Sequence, residues 1–330
     1  MTYQVLALLS KFDLPSARIR IRNMAPFLKN QKINLKTEPF AKGFSRLFQI
    51  LSLPRYDLVI IQKKTSLRKL ELFLIRKLSD RIIYDFDDAS MFHELEHSKP
   101  LAGKNFKKFI NTINIADAVV AGNDFLRSFC IKNVSQVYKL PTPVDIKKYY
   151  PIKLKPKKEL TLGWIGVSGS MRHLNNLSPI LKELSKVLSF ELLVISNVDF
   201  ICKGVKVRNI QWDLNRENEY LNLIDIGLMP LDNSIWTQGK CGYKLIQYGS
   251  VGIPSVGSSV GINNEIIVNG KTGYLAGNKD EWIKYLSFLI KNVDLRKKMG
   301  AEARSRILRN FSLGAYARQY AKIIKKLVKK

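Results

Sequence analysis

The chain has 330 residues, 46% of them hydrophobic and 10% aromatic, and 55 Lys and Arg against 27 Asp and Glu give a formal net charge of +28. That composition excludes a disordered chain and supplies enough apolar side chains for two substantial cores, so two domains are expected. Cys130, Cys202 and Cys241 have no metal-ligand spacing and imply no disulfide framework. No apolar run approaches the roughly 20 residues that span a bilayer. The start Met1-Thr-Tyr-Gln-Val-Leu lacks the charged region of a signal peptide, so a cytoplasmic protein is expected.

Along the chain, apolar runs of strand length alternate with helically spaced segments, the pattern of parallel sheets covered by helices. Val5–Leu9, Leu58–Gln62, Arg81–Tyr84 and Ala118–Ala121 read as strands, with helices at Leu67–Leu78 and Phe106–Ile115. Asp85, Asp87 and Asp88 follow the third of these strands, at the carboxyl edge where α/β sheets place ligands. Their alternatives are to cap a helix, to pair with basic neighbours, or to act as an Asp-x-Asp site for Mg²⁺. His93 and His97, with Glu94 and Glu96, do not form a zincin pattern and read as a solvated face.

The stretch from Pro141 to Pro151 and on through Lys158 is dense in prolines and lysines, a poor core element and a good linker. The expected division is therefore 1–150 and 151–330. Beyond it, Leu160–Ile165, Glu191–Ser196, Ile226–Met229 and Pro254–Gly257 read as strands, with helices at Leu174–Leu188, Lys244–Val251, Lys279–Asn292 and Leu313–Leu327.

Between Trp236 and Gly277 lie two loop-to-helix junctions. Gly239-Lys-Cys-Gly-Tyr-Lys244 opens one helix, and Asn263 and Asn264 stand before Glu265 at another. A helix N-terminus offers unpaired N–H groups and the positive end of its dipole, which suits phosphate, and Lys240 and Lys244 add charge at the first junction. Either turn alone is ordinary punctuation between elements.

Gly239–Gly252 and Gly261-Ile-Asn-Asn-Glu-Ile-Ile-Val-Asn-Gly-Lys-Thr-Gly-Tyr-Leu-Ala276 resemble the donor-binding half of the retaining glycosyltransferases of family 4. Leu162-Gly-Trp-Ile-Gly166, Asp225-Ile-Gly-Leu-Met-Pro-Leu231, Leu295-Arg-Lys-Lys-Met-Gly300 and, more loosely, Tyr84-Asp-Phe-Asp-Asp-Ala89 extend the resemblance over most of the chain. It implies the GT-B fold, two Rossmann-like domains facing each other across a cleft, the first on the acceptor side and the second binding the donor, with the last helix returning to the first domain. It also implies transfer from a nucleotide sugar without a metal, with Asp87 and Asp88 in the catalytic neighbourhood. An acceptor-facing loop is implied at Ser10–Arg22, where Arg18 and Arg20 would suit an acidic or phosphate-bearing acceptor, unless they are a basic helix face.

The sequence departs from the family at two places. After Gly166 only Arg172 stands for the usual Arg and Lys, so Lys240 and Lys244 are expected to supply the missing charge. The two usual glutamates fall on Gly239 and Gln247; Gln247 can still bond a ribose hydroxyl, and Glu265 or the Asn263–Asn264 backbone is left for the sugar. A non-catalytic glycan- or nucleotide-binding homologue is the alternative. Both halves carry surplus positive charge, which suits an anionic membrane face or charged glycan, unless it reflects genome-driven lysine content. No nucleic-acid motif is present. The expected partners are a nucleotide sugar, a glycan or lipid-linked acceptor in surface polysaccharide synthesis, and the inner membrane leaflet.

Overall fold

The computed structural model describes residues 2–92, 103–153 and 159–329. His93, Glu94, Glu96 and His97 lie outside them, as do the linker residues 154–158. Contacts divide the chain into two compact units: 1–143, 234–241 and 313–330 form one, and 144–233 with 242–312 form the other.

The first unit holds six parallel strands, β1 (Tyr3–Leu9), β2 (Ile33–Pro39), β3 (Leu58–Gln62), β4 (Ile82–Phe86), β5 (Ala118–Ala121) and β6 (Val137–Lys139), in the order β2-β1-β3-β4-β5-β6. Parallel sheets are covered on both faces, so their central strands are apolar throughout. In β3, Val59 and Ile61 enter one core with Tyr84, Phe86 and Phe109, while Leu58 and Ile60 enter another with Val5, Ala7 and Val120. The second core is closed by α13 (Leu313–Val328), which buries Leu313, Tyr316, Ala317, Tyr320, Ile324 and Leu327 at helical spacing.

The second unit holds β7 (Thr161–Ile165), β8 (Glu191–Ser196), β9 (Val207–Gln211), β10 (Ile226–Met229), β11 (Ser255–Ser258) and β12 (Gly273–Ala276) in the order β12-β11-β10-β7-β8-β9, again all parallel. In each sheet the order reverses once, beside β1 and β3 in the first and between β7 and β10 in the second. Such reversals are where the loops at the strand carboxyl ends part and leave room for a ligand.

The expected boundary at 150/151 is corrected to 143/144. Val144 and Tyr149 are core residues of the second unit, the Val144 amide donates to Phe311 O at 2.8 Å, and Lys148 Nζ donates to Leu214 O at 2.8 Å. The proline-rich stretch begins its second-unit packing seven residues before the expected break.

Candidate functional site

The first unit collects its chemistry at the carboxyl ends of β3 and β4. Strand β4 runs two residues further than expected, so Asp85 is a strand residue and not part of the following loop. It is fully buried, and Arg20 grips it in bidentate fashion: Nε to Oδ1 and Nη2 to Oδ2, both at 2.9 Å. Arg20 Nη1 also donates to Leu140 O at 2.9 Å and to Thr142 Oγ1 at 3.3 Å, and the guanidinium lies 5.4 Å from the Tyr316 ring centroid of α13. Burial opposes the Arg20 charge, but Asp85 outweighs it and holds the guanidinium above its usual range.

One expectation is corrected here, and one alternative reading is set aside. Arg20 does not face an acceptor, because it is 0% exposed and spent on the fold. Asp85 does not join Asp87 in an Asp-x-Asp cation site, because both its oxygens accept from Arg20. Arg18, on the same short turn of helix, is half-buried.

From this pair a chain of contacts leads to the candidate catalytic carboxylates. Thr142 Oγ1 accepts from Arg20 and donates its proton to Asp87 Oδ2 at 3.3 Å. The other Asp87 oxygen, buried and without a hydrogen bond, lies 3.4 Å from Lys63 Nζ, which also pairs with Asp88 Oδ2. The Ser90 amide donates to Asp88 Oδ1 at 3.1 Å. Lys63 ends β3 with a left-handed φ of 54°, a conformation that costs a lysine energy and persists only where the surroundings hold it. Burial works against its charge, yet Asp87 and Asp88 raise the ammonium above its ordinary range. One lysine thus fixes two carboxylates, and of these Asp88, at 30% side-chain exposure against 6% for Asp87, is the one open to a reactant.

Two glycines set the loop that carries them. A Cβ on Gly122 would lie 2.9 Å from Asp87 Cα, and one on Gly239 would lie 2.5 Å from Ala89 Cβ and 2.9 Å from its amide nitrogen. Gly239 stands in the stretch Ser234–Cys241, which includes α8 (Ile235–Gln238) and packs with the first unit. Asn123 Nδ2 ties that stretch down by donating to Gln238 O and Lys240 O, both at 3.1 Å, and Lys240 Nζ lies 5.2 Å from the Trp236 ring centroid. Gly239→Ala should therefore push against the Asp88–Ala89 backbone and lower stability by about 1–3 kcal/mol, which chemical denaturation would measure.

In the second unit the carboxyl ends of β7, β10 and β11 converge. Gly166 ends β7 where a Cβ would strike the Trp164 ring at 2.5 Å and Ser170 Oγ at 2.9 Å. The turn then feeds α6 (Met171–Ser185), whose Arg172 Nη2 and His173 Nδ1 each lie 3.6 Å from Asp232 Oδ2, just beyond β10. His173 and Asp232 are new members of the site. Gly242 opens α9 (Tyr243–Ser250) at φ 64°, and a Cβ there would lie 2.3 Å from Ile266 Cδ1 and 3.6 Å from Asn263 Oδ1. The α9 start thus abuts α10 (Asn263–Ile266), and the two junctions read from sequence are neighbours. Lys244, on the first turn of α9, places its ammonium 4.9 Å from the Trp164 ring centroid, which brings it to β7.

Asn263 is fully buried, its Nδ2 donating to Ser258 O at 3.0 Å and its Oδ1 lacking a hydrogen bond. Glu265 is half-buried, and its carbonyl accepts from Arg306. Gln247 is only 3% exposed, and its Nε2 has no hydrogen bond.

Residues 209–306 match the family model described as glycosyl transferases group 1. A trehalose synthase of Pyrococcus horikoshii is 33% identical over 76 residues, a match spanning 23% of this chain and 18% of that protein's length. A glycosyltransferase from Rickettsia africae superposes over 100% of this chain and 99% of its own, with TM-score 0.74 at 16% identity. Anabaena Alr3699/HepE, solved in complex with UDP-glucose, superposes over 98% of this chain and 100% of its own, with TM-score 0.71 at 12% identity. The fold is GT-B. The group 1 match covers Lys240, Gly242, Lys244, Gln247, Asn263 and Glu265, whereas Arg18, Arg20, Lys63, Asp87 and Asp88 of the first unit, with Gly166 and Arg172, lie outside it.

The absent glutamate at 239 has a steric reason in this GT-B chain: no side chain fits between Gly239 and Ala89. Lys240 and Lys244 belong to different units by their contacts, the division falling between Cys241 and Gly242.

Proposed function

We propose that the protein is a retaining glycosyltransferase that moves a sugar from a nucleotide-sugar donor to a glycan or lipid-linked acceptor in surface polysaccharide or lipopolysaccharide synthesis. The observation that carries this reading is the meeting of two helix starts at Gly242 and Asn263, beside Lys244 and the β7 and β10 ends, within the group 1 segment. Backbone amides and cations gathered at one sheet edge suit a diphosphate, first as ground-state ligand and then as leaving group. HepE, solved with UDP-glucose, makes UDP-glucose the first donor to try.

In this reading Lys244 and Arg172 stabilise the departing diphosphate, with Lys240 as a further cation. Asp88, held by Lys63, supplies negative charge to the positive sugar of the transition state. Asp87 orients Lys63 and is itself oriented by Thr142. These charges carry the transfer without a resident metal.

Purified protein should release nucleoside diphosphate from UDP-glucose or another common nucleotide sugar, slowly alone and faster with membrane-lipid acceptor. The product should keep the donor's anomeric configuration by NMR. Charge-assisted contacts contribute about 1.5–3 kcal/mol, so Lys244→Ala should weaken nucleoside diphosphate binding about tenfold or more in calorimetry. Donors that bind without hydrolysis or transfer, with every acceptor offered, would leave a binding homologue instead.

A further inference from the structure

Helix α2 (Phe44–Leu51) reverses the usual rule for an amphipathic helix. Four of its five apolar residues, Phe44, Leu47, Phe48 and Leu51, fall at i, i+3, i+4 and i+7, the spacing of a stripe that normally faces the core. Here the stripe faces out, with exposures of 85%, 44%, 70% and 54%. Of the others, Ser45 is exposed, Ile50 is buried in the core, and Arg46 and Gln49 turn toward the rest of the unit. Arg46 Nε donates to Ala41 O at 2.8 Å and Nη1 to Glu71 Oε1 at 2.7 Å, while Gln49 accepts from the Ala41 amide at 2.9 Å and donates to Pro39 O and Glu38 Oε2 at 3.0 Å. These bonds fix the helix with its apolar side outward, so it cannot roll its aromatic rings into the core without breaking them.

The neighbouring α3 (Lys69–Leu78), joined to α2 through Arg46–Glu71, adds Leu70 at 67% and Phe73 at 60% exposure. An outward cluster of this size marks an interaction surface. Its surround is basic. Lys11 and Lys42 are exposed and, with Arg46, stand close enough to Lys64 to help burial lower its ammonium below the usual range. Exposed Arg68 and Lys69 precede Leu70. The acidic groups facing this surround, Glu38 and Glu71, are each paired, with Lys36 and with Arg46.

Charge decides the occupant. Two copies of the chain meeting through this face would press like-charged rims together, whereas apolar side chains ringed by Lys and Arg match a bilayer with anionic headgroups. The face also has a location that serves the acceptor: α2 and α3 both start from loops at the carboxyl edge of the first sheet, the edge that carries Lys63, Asp87 and Asp88. We propose that α2 and the first turns of α3 are a membrane-docking face, seating Phe44, Leu47, Phe48 and Phe73 at the acyl boundary of an anionic bilayer, with Lys42 and Lys69 on the headgroups. The docking is independent of the transfer reaction, since it needs no donor.

Flotation with vesicles tests it. Full-length protein should adsorb to phosphatidylglycerol/phosphatidylcholine vesicles and not to phosphatidylcholine alone. Phe44→Ser/Phe48→Ser should lose about tenfold or more of that partitioning, with an unchanged melting curve, because both side chains are already in water. Lys42→Glu/Lys69→Glu should lose a comparable share, and Lys297→Glu/Lys298→Glu in the second unit should lose none. A Phe48→Trp reporter should shift to the blue on vesicles and be quenched by brominated lipid. Equal adsorption of the serine variant and the native chain, or a blue shift that follows protein concentration into a sedimenting dimer without lipid, would overturn the proposal.

Discussion

Arg20→Ala is expected to cost about 3–5 kcal/mol, because it leaves the Asp85 carboxylate buried and unpaired. Both carboxylate oxygens accept from that one guanidinium, and the pair has no exposure. Burial alone raises the Asp85 carboxyl above its usual range, and Arg20 is the main group pulling it back. Urea unfolding followed by circular dichroism would measure the loss. The apolar replacement Arg20→Met/Asp85→Leu should recover most of it, since exchanging a whole buried pair is often near neutral. A loss below about 1 kcal/mol in the single variant, the range of an exposed pair, would sink the assignment. Turnover should fall further than stability explains in both variants, because Thr142 loses the donor that orients it toward Asp87.

Asp88→Asn is expected to lower donor turnover by about 10²–10³, the usual effect of removing one charge aimed at a transition state. Calorimetric affinity for nucleoside diphosphate should change little, because the proposed diphosphate ligands Lys244 and Arg172 lie in the second unit. Lys63→Met should act on the same step by releasing both carboxylates, and the double variant should be far from additive. If Asp88→Asn turned over normally while Asp87→Asn did not, the more buried carboxylate would take the reacting role.

What could be read from the sequence follows burial. Strands β3, β5, β8 and β10 were legible to the residue, since strands covered on both faces are apolar throughout. Strands β2 and β9 were not: Ile33-Asn-Leu-Lys-Thr-Glu-Pro39 and Val207-Arg-Asn-Ile-Gln211 are half-exposed edges, whose mixed composition hides them. Gly242 was legible because a glycine-rich turn before a helix has a local signature. Arg20 was not, because nothing local says which of Arg18, Arg20 and Arg22 turns inward, and its partner is 65 positions away. Lys63 and Thr142 reach the carboxylates through topology, 25 and 55 positions distant. Asp232 did have a signal: it follows β10 at a sheet edge as Asp88 follows β4.

The first unit is assembled from three stretches of chain, and the last of them, 313–330, carries the helix that shares one face of its sheet with Ala17, Ile21, Met24 and Leu28. During synthesis the first 143 residues emerge long before that helix exists. At 5–20 residues per second the intervening stretch of about 170 residues takes roughly 10–30 s. Throughout that interval Val5, Ala7, Ile60 and Val120 have only the 17–28 segment against them, and the Arg20–Asp85 pair waits without Tyr316 and Tyr320 above it. A chain stalled before residue 313 would therefore leave that face partly exposed, the condition in which apolar surface promotes aggregation.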